Sequence, residues 1–233
     1  MSIIKIKKEE VYPIILLMMM FFCIVGSSIT GASARDTFFL TQFDRSLLPL
    51  MFALVAGLMV VVISIYNKIT SNLDLVKTII FSSVFFCITL FIIRFNLNGF
   101  VIPLFYAWTD VIISITIFQF WLLASEIFNA RQAKRLFSVI GIGGSIAGIS
   151  AGYIMRPFVL RFGAENLLIP TIIFIALIGI FAAYLNPFRA KKDNSFKKDT
   201  KNETSENIFD PYLKSILVMV CSCLLYTSDA ADE

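Results

Sequence analysis

The sequence predicts an all-α membrane protein, a bundle of six transmembrane helices. Three observations carry that prediction. The 233-residue chain is 58% hydrophobic, with 24 Phe and 15% charged residues, whereas globular domains run near ~45–50% apolar and ~25% charged. Six apolar runs are each long enough to cross a bilayer, for which roughly 17–25 residues are needed. Finally, Lys and Arg gather in alternate connecting segments. A span must satisfy its own backbone hydrogen bonds, and no ten-residue alternation is present, so the runs read as helices and not as barrel strands.

The runs are 11–30, 47–66, 78–95, 100–123, 136–155 and 167–185. With the N-terminus (residues 1–10) in the cytoplasm, fifteen of the 20 Lys and Arg lie on the inside. Only Arg35, Arg45, Arg94, Arg156 and Arg161 fall outside. That bias sets the orientation and supports an even number of spans. Lys5, Lys7 and Lys8, an apolar run and "GASA" also suit a secretory signal with an A-x-A cleavage site. Glu9, Glu10 and the length of the run favour an uncleaved first span instead.

Residues 11–185 thus form the bundle. Residues 186–214, which begin "NPFRAKKDNSFKKDTKNETSEN", carry almost no large apolar side chains and read as a cytoplasmic linker. An apolar stretch then reaches residue 222 as the start of a seventh span. The tail "CLLYTSDAADE", residues 223–233, resembles a translated sequencing-library adapter and is set aside. The expectation is that the chain is the front half of a longer protein.

Several function classes are excluded. A net charge of +4, gathered on one side, is no nucleic-acid footprint. There is no His, which removes the commonest general base and metal ligand. The four cysteines show no zinc or disulfide spacing, and no G-x-S-x-G nucleophile elbow stands in a strand-to-helix context. The reading is therefore not an enzyme, with no metal and no bound cofactor.

The tract "NARQAKRLFSVIGIGGSIAGISAG" invites a phosphate-loop reading, and fails it. A Walker loop needs a lysine after its second glycine, and here the basic residues come first. After Gly141 and Gly143, the third glycine of a dinucleotide motif is Ile146. Gly144, Gly148 and Gly152 recur every four residues instead, and Gly141 widens the strip. Small residues at that spacing let membrane helices approach closely, and the same groove would suit bundles that slide.

Ionisable groups within spans cost ~2.5–3.5 kcal/mol on insertion scales and need a reason. Asp110 is the clearest. At ~100° per residue, Asp110, Ser114, Trp121 and Ser125 lie within roughly 60° of arc, a polar stripe suited to a wet cavity. Thr116, Gln119 and Glu126 form a second polar face. Asp110, Glu126 and Gln119 are the candidates for a proton or solute pathway. An interhelical salt bridge of Asp110 with an arginine is the alternative. In "ARDTFFLTQFDR", Arg35 and Asp36 follow span one without a Gly or Pro break, and the arginine fork could hold a phosphate or carboxylate; an ion pair in an external loop is the other reading.

The stretch "FYAWTDVIISITIFQFWLLASEIFNARQAKRLFSVIGIGGSIAGISAG", with "ARDTFFLT" before it, resembles the ATP/ADP translocase family of intracellular bacteria and plastids and its bacterial relatives. The likeness covers about residues 12–185. It implies one half of a major-facilitator-type twelve-helix transporter, in a bacterial inner membrane, with the C-terminal half of the same chain as partner. The resemblance implies that Arg35 stands for the family's phosphate-contacting lysine, Asp36 for its neighbouring Asp and Asp110 for the acid in span four. Lys134 and Arg135 match its K-R pair. Arg131 and Gln132 replace its acidic residues, a departure that bears on strict ATP/ADP exchange. The implied function is secondary active exchange of nucleotides or related organic anions, a small anionic substrate held by Arg35, Asp36, Asp110, Lys134 and Arg135. The alternatives are proton-coupled transport of another solute, and a non-transporting membrane sensor or scaffold.

Overall fold

The structure is a computed structural model, and it describes residues 8–70, 73–95, 101–128 and 130–199. The expectations for residues 1–7, for the end of the linker, for the seventh span and for the tail lie outside the described residues. So do the side chains of Lys134 and Arg135. The chain divides into two units, Met1–Lys192 and Asp193–Glu233, and the bundle belongs to the first.

The described residues are helical, with no strand among them. Six helices are long and apolar enough to cross a bilayer: α1 (Lys8–Gln42), α2 (Leu48–Thr70), α3 (Leu75–Phe95), α4 (Val101–Ile127), α5 (Ala130–Phe162) and α6 (Leu168–Asp199). Single 3₁₀ turns precede α2 and α6, and Gly163 at φ 83° opens the second of them. That left-handed backbone is one that a side chain would strain.

Two ends differ from the sequence reading. Span one does not stop at residue 30: α1 continues to Gln42, so Arg35 and Asp36 sit on the helix and not in a loop. The segment "GASA" is helical too, with Ala34 fully buried. At the other end, α6 continues past Pro187 to Asp199, through residues expected to be linker. The sequence 188–199 contains no Gly or Pro to stop it. Polarity alone shows where a helix leaves the apolar phase, not where its backbone hydrogen bonding ends.

Packing sets α1 and α4 at the centre, each with half of its span buried. Phe21 of α1 stacks on Phe120 of α4, with centroids 4.9 Å apart. α5 lies against α1, α2 lies against α4, and α2 buries only 6% of its span. α6 joins α1 through Phe22–Phe174 and a Thr171–Thr30 hydroxyl bond of 2.8 Å. α3 joins α4 through Trp108 Nε1, which donates to Thr89 Oγ1 at 3.1 Å. α3 and α6 meet at Gly179, where an added Cβ would stand 3.2 Å from Ser83.

The α1–α5 seam corrects the glycine reading. Its closest approach is at Gly143, where a Cβ would collide with the backbone carbonyl of Met18. Gly144 does pack as expected, since a Cβ there would be 2.6 Å from Phe21. Gly141, Gly148 and Gly152 have nothing within 4 Å of an added Cβ among the described residues. A strict four-residue repeat turns ~40° further at each step on a 3.6-residue helix. It therefore leaves a contact face that Leu136, Ile140, Gly143, Gly144 and Ala147 follow by alternating steps.

Candidate functional site

Asp110 is the tenth residue of α4 and Arg35 lies in the last third of α1. The two helices are packed side by side, so the long arginine side chain reaches across. Its Nη1 pairs with Asp110 Oδ1. Its Nε donates to Asp36 Oδ1 at 3.2 Å. The guanidinium carbon lies 4.5 Å from the ring centroid of Tyr106, itself 1% exposed. One cation therefore meets two carboxylates and an aromatic face, an arrangement that suits the planar, fork-shaped guanidinium.

Exposure is graded across the cluster. The side chains of Arg35, Asp110 and Asp36 are 13%, 23% and 49% exposed. The Asp110–Arg35 pair is thus set into the bundle with Asp36 at its open edge. The rest of the predicted stripe follows the same side of α4: Ser114 is half-buried, while Trp121 and Ser125 are exposed. The polar stripe faces outward from the bundle core, and the salt-bridge alternative for Asp110 is what the geometry contains.

The second polar face of α4 turns inward. Gln119, 1% exposed, donates through Nε2 to Tyr66 Oη and to Ser82 Oγ, both at 2.9 Å. Ser82 and Thr116 bond carbonyls of their own helices. This uncharged knot ties α2, α3 and α4 together. A cavity of about 180 Å³ lies beside it, lined by Met59, Ile63, Tyr66, Ser114, Ile115 and Phe118. Glu126 is half-buried, two turns from Gln119 on the same face, and the structure does not join it to Asp110.

Sequence reasoning missed Tyr106, although its position four residues before Asp110 puts it on the same face. It also missed Tyr66 and Ser82 as partners of Gln119; nothing in a single sequence pairs residues 37 and 53 positions apart. No group of three or more His, Cys, Asp or Glu positioned for a metal occurs among the described residues. Comparison with protein-family models, with curated proteins and with solved structures finds no match to this chain.

Proposed function

We propose that the protein is a secondary active membrane transporter that exchanges nucleotides or related small organic anions. Arg35 is the group that meets the anion, and Asp110 and Asp36 are its resting partners. The observation that carries this reading is the Arg35–Asp110 pair itself, set between the two most buried helices and open at Asp36. Charge inside a span is costly, and where it is kept it marks solute or ion pathways. The guanidinium–phosphate fork supplies the recognition chemistry.

The helix contacts support the larger architecture. Exchanging α1 with α4, α2 with α5 and α3 with α6 turns the α1–α5 contact into the α4–α2 contact and leaves the α1–α4 contact in place. Such a pattern suits two three-helix repeats, the build of one half of a major-facilitator-type transporter. The sequence likeness to ATP/ADP translocases points the same way.

A second reading has its own support. One guanidinium between two carboxylates leaves the cluster with net charge −1 when all three are ionised. An anion entering there is repelled unless a proton enters with it, which favours proton-coupled uptake with Asp110 as the carrier. Vesicles containing the full-length protein and loaded with ADP separate the readings. Uptake of labelled ATP driven by internal ADP supports exchange. Uptake driven by an imposed pH gradient, and abolished in its pH response by Asp110→Asn, supports coupling. No uptake of any nucleotide above empty vesicles overturns the exchange reading.

A further inference from the structure

A groove of about 310 Å³ lies between α1, α5 and α6, far from the charged cluster in its chemistry. Its walls include Phe22, Ala151, Ile154, Phe158 and Phe174. Its two hydroxyls are already committed. Thr30 Oγ1 donates to the Gly26 carbonyl at 2.9 Å and accepts from Thr171. Ser150 Oγ donates to the Ala147 carbonyl at 3.0 Å. A polar solute would find no spare donor there and would lose its hydration for nothing. Hydrocarbon meets no such penalty.

A cation follows the groove along α5, three residues past its last lining residue on that helix, Phe158. Arg161 follows Ile154 by seven residues, which on an undistorted helix is within ~20° of the same face and ~10 Å further along, although Pro157 lies between them. It is exposed, and no carboxylate pairs with it among the described residues. Apolar walls followed along α5 by a guanidinium match the two parts of one molecule. We infer that this groove holds an acyl chain of an anionic phospholipid, with the headgroup phosphate at Arg161.

The test uses the full-length protein in nanodiscs containing phosphatidylglycerol or phosphatidylcholine with a diazirine on the acyl chain. After illumination, adducts should map to residues 22–30 and 147–158. Phosphatidylglycerol should label about fivefold more than phosphatidylcholine at equal mole fraction, the effect of one basic residue at a membrane surface. Arg161→Gln should equalise the two lipids. Ala151→Phe, which fills the groove, should remove the adducts; Ile154→Trp, at a position 60% exposed, should do the same without disturbing the core. Labelling near Phe81, on the exposed side of α3, should stay constant in every variant and reports that each is folded. Equal labelling of all exposed apolar faces overturns the inference. So do groove adducts that survive both filling variants, and so does a groove sealed by a second copy of the chain, seen as protein–protein crosslinks at residue 154 in place of lipid adducts.

Discussion

The charge cluster makes its two ends unequal, and that inequality can be measured. Asp110→Asn leaves Arg35 still bonded to Asp36. Arg35→Gln leaves two carboxylates facing each other with no cation between them. For a unit pair at ~4 Å and an effective dielectric of ~20, the attraction is about 4 kcal/mol. The side chains are 13% and 23% exposed, so part of that is screened, and about 2 kcal/mol of coupling is expected. Removing the cation from a largely buried cluster should cost about 3 kcal/mol or more. Neutralising Asp110 should cost about 1–2 kcal/mol, because the hydrogen bond to Asp36 persists. The double variant should then be less destabilised than the sum of the singles by about 2 kcal/mol. Reversible unfolding of the full-length protein in mixed dodecyl sulfate micelles, followed by tryptophan fluorescence, measures all three. Strict additivity, or an Asp110→Asn effect equal to that of Arg35→Gln, would refute the assignment of Asp110 as the second partner of a shared guanidinium.

Three further outcomes are expected. Gly143→Leu should destabilise by about 1–3 kcal/mol, the cost of overpacking, while Gly148→Leu should stay within about 0.5 kcal/mol; thermal melting in detergent compares them, and equal effects would contradict an α1–α5 seam centred on Gly143. Gln119→Leu should cost about 1 kcal/mol, in line with interhelical hydrogen bonds within membranes, and should loosen α2, seen as faster proteolysis between α2 and α3. In a cysteine-free background, Ser114→Cys should react with a charged, membrane-impermeant thiol reagent and be protected by ATP, whereas Phe81→Cys, 74% exposed at the back of the bundle, should not react. Labelling of Phe81→Cys alone would reverse which side of the bundle is wet.

The spans were legible because burial in hydrocarbon is written in composition. A run such as "TIIFSSVFFCITLFIIRF" has no other solvent that suits it. Where a helix ends is governed by backbone geometry instead, and apolar composition is silent on that. Hence α1 outruns its apolar run by twelve residues, from Thr30 to Gln42, and takes Arg35 with it. The continuation matters for the site: a helical Arg35 has a fixed direction, whereas a loop arginine would not.

Polar residues were legible as faces and illegible as pairs. Helical angles alone separate the Asp110 stripe from the Gln119 face, and the structure keeps that separation, one open and one buried. Angles carry no information about the neighbour. Of the five arginines that the charge bias of the sequence assigns to the outside, none is singled out by the sequence as the partner of Asp110. Arg35 is selected by how α1 packs on α4: Phe21 of α1 stacks on Phe120 of α4, and Gly144 of α5 comes up against that same Phe21. The small residues that fit no phosphate loop pack against α1 at Met18 and Phe21, well before Arg35 on the same helix. They meet the face of α1 that also carries the α4 contact, and the rotation of α1 decides which carboxylate its arginine can reach.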